Sequence, residues 1–600
     1  MMDSPIVSAR HDKEANLYSH GSGPKSSTRD ELQLFDAAPT EIDLRPLANV
    51  SGLPAGQNAQ EKSKDPPREW KAGRGEWMII IVLAIVSLMV ALDATILVSA
   101  LSLIASDLHG TTVDTFWIGT SYLLTQSVLQ PLIVSLSDLF GRRLFYLISL
   151  GFFTVGSLLC CRSQDFTELL AGRSIQGVGG GGILALGMVI LTDIVPLRQR
   201  PIYLGIIQIS WAVGAVTGPL VGGLIVQHTT WRWIFYLNFP FCAIGFVTVP
   251  AVIRLHVERA PVKERLHYVD WIGGFFFVSS TCSFLVGITW GGVQYPWSSW
   301  RTLVPIILGL AGVAATLIWE RYGASRPFLR LELFNSYSAW AAYTGAVLQG
   351  LLMFAELYYL PFYLESILSY TPTVTGLSLI PLTAAMLPTS VLVGRLMTRT
   401  GRYRWAIWLG WALTLLGTGL LIFLDGNTKP YAWVLIFIVV GLGHGFVLMS
   451  LNFSVQACAE TRNVAYAAAM YTFARTFGMC IGVAVGGAVF QNTMKRKLRD
   501  MGLPEGVAAS AEEFVGVLKH LPRLGEGNEH EEYVDAYVGG FRGVWEVLTA
   551  LAGFAGLLSL LIKGLTMDKE LDSEHVLLQH KGGDEGPEAG GGQKLVDLRK

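Results

Sequence analysis

Charge is what this sequence has least of: Asp, Glu, Lys and Arg make up 15% of its 600 residues, where soluble domains carry about 25%. Mean hydropathy is +0.44. A chain so poor in charge cannot wet its whole surface, which excludes an ordinary soluble fold. Catalytic signatures are missing too. No GxxxxGK followed by Ser or Thr is present, which excludes a P-loop for ATP, and neither HExxH nor GxSxG occurs. The cysteines (Cys160, Cys161, Cys242, Cys282, Cys458 and Cys480) lie in or beside apolar runs without CxxC spacing, so neither disulfides nor a zinc site is expected. No cleavable signal peptide is expected, because the first apolar run starts near Trp77 and is too long for one. The Gly/Glu-rich C-terminal stretch carries no lipidation signal.

What the sequence has instead is apolar length. A membrane span needs about 20 predominantly apolar residues. Fourteen such runs are predicted, at 78–101, 115–136, 144–162, 168–192, 202–225, 232–252, 269–290, 302–319, 339–362, 373–394, 404–424, 431–453, 464–490 and 541–564. The glycine run Gly179 to Gly182 falls inside the fourth, so it predicts close helix packing rather than a phosphate cradle. With the N-terminus inside, the short inner loops hold sixteen Lys and Arg and the outer loops four, the long segment 491–540 left aside. Both termini are therefore expected in the cytosol, with 1–75 and 567–600 as disordered tails.

An internal repeat divides the rest. VSLSDLFGRR at 134–143 aligns with GRLMTRTGRY at 394–403 through Leu136 and Leu396, Gly141 and Gly401, Arg142 and Arg402. The first copy joins spans 2 and 3, the second spans 10 and 11, so equivalent spans lie eight apart. This predicts a six-span half over 76–253, two additional spans within 254–335, and a second half over 336–566 that includes a long extracellular loop at 491–540. Related halves are typical of transporters.

Motifs then narrow the reading. LSDLFGRR, with Asp138, Gly141, Arg142 and Arg143, resembles the loop signature between spans 2 and 3 of the major facilitator superfamily, with Val134 where that family has a leading Gly. LLAGRSIQGVGGGG, around Arg173, resembles its fourth-span motif. WAVGAVTGPLVGG resembles the fifth-span motif of antiporters through Gly214, Gly218, Pro219, Gly222 and Gly223. LDATILVSAL, with Asp93, resembles the first-span motif, and TWRWIFYLNFP looks like the fourteen-span drug:proton antiporter branch. LTDIVPLRQRP and FWIGTSYLL look like fungal members. The resemblance covers about 75–565. It implies an all-α polytopic fold with two six-helix halves and two extra helices, and a cytoplasmic latch of Asp138, Gly141, Arg142 and Arg143, joined by Asp193 at the inner end of span 4.

The residues carry their own chemistry. Asp93 lies some fifteen residues into its run, about 22 Å along a helix and past the bilayer midplane. A carboxyl there is either a proton site, whose surroundings alternate between dry and wet, or a permanently bonded strut. Arg173 cannot realistically deprotonate; it either tunes an acid such as Asp93 or bonds backbone carbonyls. Glu356 is a further buried acid and the next proton-coupling candidate. Gln126, Gln130, Gln208, Asn238, Gln349, His444, Asn452 and Arg475 are candidates for a central cavity, or for interhelical hydrogen bonds. Trp117, Tyr122, Tyr358, Tyr359 and Tyr363 would line an apolar wall or sit in an interfacial belt.

The expectation is a secondary transporter moving an organic compound out of the cytosol in exchange for protons, with no cofactor, no metal and no enzymatic activity. Its partners would be an amphipathic cargo, uncharged or cationic, together with protons and the lipid bilayer, with no nucleic acid and as a monomer. A plasma-membrane location is favoured over the vacuole. The alternatives are a proton-coupled uptake permease or siderophore carrier of the same fold, and a transport-dead membrane receptor.

Overall fold

The computed structural model describes residues 72–97, 100–110, 112–256, 261–292, 294–518, 529–567 and 576–577. The expected tails lie almost entirely outside these residues. Each apolar run becomes a long helix. In the first half, α1 is Arg74–Ile96 and α2 is the pair Thr112–Val128 and Gln130–Phe140. That pair bends by 42° beside Pro131, which supplies no backbone donor. There follow α3 (Arg142–Arg162), α4 (Phe166–Ile194), α5 (Arg200–His228) and α6 (Trp233–Tyr236 continued by Asn238–Val252). The additional pair is α7 (Trp271–Trp290) and α8 (Trp300–Tyr322).

The second half holds α9 (Tyr337–Ser366), α10 (Pro372–Ser378 with Ile380–Thr400), α11 (Arg404–Leu421), α12 (Pro430–Cys458), α13 (Val464–Asp500) and α14 (Glu529–Ser559). Among the described residues, eleven helices are long and apolar enough to cross a membrane, and the bent α2 makes a twelfth. Helices α5 and α11 fill the two remaining predicted positions, so each of the fourteen predicted runs is a helix among the described residues. α11 opens on Arg404, Trp405, Trp408 and Trp411, which dilute its hydropathy, yet 18 residues still reach about 27 Å. The strand content described is one two-residue antiparallel ladder, Leu255–His256 with Val576–Leu577.

Packing repeats with the period of the sequence. α1 lies along α5 and α9 along α13; α3 lies along α4 and α11 along α12; α2 meets α4 and α10 meets α12. The loop glycines of the repeat behave alike: Gly141 has φ of 104° and Gly401 of 65°, a region closed to most side chains. The Gly179 to Gly182 run packs on all sides. A Cβ at Gly179 would strike the backbone of α3 at Phe153, and one at Gly181 the backbone of α2 at Gln126. Helices α7 and α8 pair with each other, and α7 touches α2 and α13. Only 17% of the apolar window of α8 is buried, with Ile307, Leu308 and Ile318 exposed, so lipid is its solvent.

The segment 491–540 departs from the loop expected there. α13 runs on to Asp500, a short helix follows at Ala511–Leu518, and α14 already begins at Glu529. Phe490, Met494 and Leu498 recur every four residues and are buried, as are Val515, Leu518, Tyr537 and Phe541, in a core continuous with that of the spans; the Phe490 ring lies 6.0 and 4.9 Å from those of Tyr537 and Phe541. Arg499 grips Glu505 at 2.7 and 3.0 Å, and that pairing holds the Glu505 carboxyl at about 2.

Candidate functional site

The first half is built around one acid. Asp93 on α1 is 1% exposed. Arg173 on α4 donates to its Oδ2 at 2.7 Å, while Gln176, one turn further along α4, donates to Oδ1 at 2.7 Å. Asn238 at the start of α6 reaches the same Oδ1 at 2.9 Å. Ser157 on α3 joins Gln176 and Asn238 at 2.9 and 3.2 Å. Arg173 also donates to the Gln176 Oε1 at 2.6 Å and to the Ile118 carbonyl of α2 at 3.3 Å, and its guanidinium lies 4.2 Å from the Tyr122 ring. Helix α5 closes the ring of six spans through its glycines. A Cβ at Gly214 would sit 2.7 Å from the Ala91 Cβ, and one at Gly218 would collide with the Thr95 hydroxyl. The glycines therefore press α5 against α1 on either side of Asp93. Pro219 and Gly222 lie in the same helix, and Gly223 faces Thr373 of α10.

The second half holds a counterpart. Glu356 lies nineteen residues beyond Tyr337 at the start of α9, as Asp93 lies nineteen beyond Arg74 at the start of α1. Its Oε2 is 2.6 Å from Nε2 of His444 on α12, the helix equivalent to α4, and both side chains are 1% exposed. Among the described residues, Glu356 Oε1 and His444 Nδ1 have no hydrogen-bond partner.

Between the halves lies a cavity in two compartments, of about 80 and 170 Å³, which share Ala94, Leu123, Trp211 and Phe354 as lining. The smaller is the more polar of the two, with Gln126, Gln208, Asn452 and Arg475 among apolar side chains; the larger is mainly apolar, with Tyr122, Arg173, Met353, Tyr358 and Met386. Of the residues expected in a cavity or in interhelical hydrogen bonds, Gln130, Asn238, Gln349 and His444 line neither compartment. Asn238 belongs to the Asp93 cluster, Gln349 is turned onto the Met353 sulfur at 3.5 Å, and His444 is taken by Glu356. Gln130 bonds Thr476 at 3.4 Å, and Tyr359 and Tyr363 are buried in the core. Trp211 and Phe354 were missed, since an aromatic in an apolar run does not declare which way it faces.

At the end of the bundle that bears the basic loops, the halves are locked together. Arg142 pairs with Asp138 one turn back and with Asp193 of α4 at 3.1 Å, and Arg330 holds Asp138 at 3.4 Å and Asn463 at 2.7 Å. Arg200 donates to Gln456 of α12 at 2.9 Å, and Arg198 to the Thr398 carbonyl at 3.3 Å. Gly394 of α10 lets that helix approach the Pro201 carbonyl of α5. Arg143 stands exposed outside this lock. At the opposite end, Trp231 and Arg232 bond Asp107 at 2.8 and 3.1 Å, and both hold its carboxyl below the usual carboxylate range.

Comparison with known proteins agrees with this architecture. The family model described as Major Facilitator Superfamily matches residues 83–483. The "MFS transporter L2" of Phoma sp. is 39% identical over 92% of this chain and 92% of its own. The "MFS-type efflux pump LUC4" of Fusarium sp. is 33% identical over 92% and 96%. Among solved structures, the proton:xylose symporter XylE is 13% identical and shares the fold with a TM-score of 0.52, over 82% of this chain and 97% of that one. A multi-pass helical bundle of two related halves, closed at its basic end around a central cavity, the chain belongs to the Major Facilitator Superfamily.

Proposed function

We propose that the protein exports an organic compound (a drug, toxin or secondary metabolite) from the cytosol in exchange for protons, by alternating access. The direction is supported by the fifth-span glycine motif and by the Fusarium relative, which is named an efflux pump. The coupling is supported by one observation: Asp93 is sealed, yet its neighbour Ala94 lines both compartments and its partner Arg173 lines the larger. A carboxylate accepts from three donors here. Protonation turns one of its oxygens into a donor, so the three bonds cannot all persist. Arg173 keeps its charge and must turn toward other partners, which changes the cavity wall. Proton occupancy and cargo binding are thereby linked. Glu356 with His444 is the equivalent pair in the second half and the next proton-coupling candidate. The gradient supplies about 1.4 kcal/mol per pH unit and about 2.3 kcal/mol per 100 mV for each charge moved.

The lock at the basic end would then be the cytoplasmic gate, closed when the cavity faces outward, with both termini in the cytosol of a plasma-membrane protein working as a monomer. Its role is tested by charge reversal. Arg142→Asp or Asp193→Arg alone is expected to cut transport about tenfold, and the double swap to restore part of it. Each breaks a largely buried pair, yet Arg142→Asp leaves Asp138 held by Arg330 at 3.4 Å, and in Asp193→Arg the Arg142 side chain keeps Asp138 and Ser137, so protein levels are expected to fall less than transport. Strictly additive losses would show that the two charges do not act together.

Direction is tested in cells. Deleting the gene is expected to raise the intracellular content of at least one amphipathic metabolite severalfold, as read by untargeted mass spectrometry. Depletion of that metabolite inside the cell would indicate uptake instead.

A further inference from the structure

One charge in the central cavity has no counter-charge. Among the described residues, Arg475 on α13 is the sole charged group lining the smaller compartment, and no carboxylate lies within ion-pair distance of it. The buried acids of the two halves are committed elsewhere: Asp93 to Arg173, and Glu356 to His444. Glu512, the carboxylate along the larger compartment, lies against Tyr358 at 2.7 Å. Tyr471, one turn back, is the neighbour Arg475 interacts with, and its hydroxyl donates to the Leu448 carbonyl at 3.0 Å. A guanidinium inside a bilayer is costly, does not shed its proton, and marks a binding role by default.

We propose that the cargo carries an anionic group, a carboxylate or an acidic enol, which pairs with Arg475. Its apolar body then extends past Trp211 and Phe354 into the larger compartment, where the lining turns apolar. The planar fork of Arg475 matches a carboxylate with two parallel hydrogen bonds. Gln126, Gln208 and Asn452 surround it with neutral groups, so a single negative charge balances the compartment. This inference rests on the cavity being the cargo path and replaces the expectation of an uncharged or cationic cargo.

Three fluorescent probes that carry the same pyrene on a four-carbon chain and differ in the charge of the headgroup test it: 1-pyrenebutyrate, its methyl ester and 1-pyrenebutylamine. Binding to the protein in nanodiscs is read by energy transfer from tryptophan, with empty nanodiscs subtracted. Binding requires neither proton coupling nor a direction of transport, so failure of the export reading leaves this result standing. The carboxylate is expected to bind about ten- to a hundredfold more tightly than the ester or the amine. Arg475→Gln should abolish that preference, and Arg475→Lys should keep part of it. Equal binding of the three probes to the wild type would overturn the proposal even if neither variant folds. So would unchanged carboxylate affinity in a folded Arg475→Gln protein.

Discussion

Asp93→Asn is expected to reach the membrane in near-normal amount and to lose gradient-driven transport by at least about a hundredfold. The substitution keeps the volume and one acceptor oxygen but puts a permanent donor where Arg173 donates at 2.7 Å. It therefore imitates the protonated carboxyl and cannot return from it. Removing one partner of a buried ion pair costs about 3–5 kcal/mol when the other is stranded. Arg173 is not stranded. It retains the Gln176 Oε1 at 2.6 Å, the Ile118 carbonyl at 3.3 Å and the Tyr122 face at 4.2 Å, so the stability loss should fall below that range. Exchange of cargo down its own gradient should survive in part, because the cavity lining is intact. An Asp93→Asn protein that still concentrates cargo at the wild-type rate would move the coupling site to Glu356 and His444.

Gly218→Leu is expected to abolish transport and to lower expression. At Gly218 a bare Cβ already collides with the Thr95 hydroxyl and lies 3.1 Å from the Ile96 amide. The hydroxyl can rotate away; the backbone cannot. Gly218→Ala should therefore keep part of the activity, while the three further carbons of leucine must force α5 off α1. Overpacking costs about 1–3 kcal/mol even in soluble cores. The effect on transport should exceed that on folding, because Thr95 stands two residues from Asp93 and bonds the Gly214 carbonyl at 3.3 Å. Parallel transport and thermal-stability measurements on the two variants check this. Wild-type rates in Gly218→Leu would mean that the contact between α5 and α1 is not needed for coupling.

Much of this architecture was legible because a membrane imposes few solutions. Apolar runs set the helices, and the loop repeat set the eight-span offset that the packing follows. Asp93, Arg173 and Glu356 stood out because a charge in an apolar run has no cheap explanation. Their neutral partners did not. Gln176 and Ser157 are ordinary polar residues in sequence, and only the crossing of α3, α4 and α6 brings them to Asp93. Asn238 and His444 were open between the cavity and interhelical hydrogen bonds, because a helix does not reveal which face meets the centre; both make the bonds. The pairing of His444 with Glu356 spans 88 positions and leaves no local trace. The helical extension of α13 was hidden by Lys495, Arg496, Lys497 and Arg499, which mask the four-residue recurrence of Phe490, Met494 and Leu498.

The most direct test of proton-driven export uses sealed inside-out vesicles from cells that overproduce the protein. The vesicle lumen is acidified, and the total organic extract of cells that carry the gene naturally is offered outside. The vesicle contents are then read by mass spectrometry. At least one compound should accumulate against its gradient with the wild type, collapse to the control level when a protonophore is added, and fail to accumulate with Asp93→Asn. Accumulation that ignores the protonophore, or the absence of any compound concentrated by the wild type, would contradict the account.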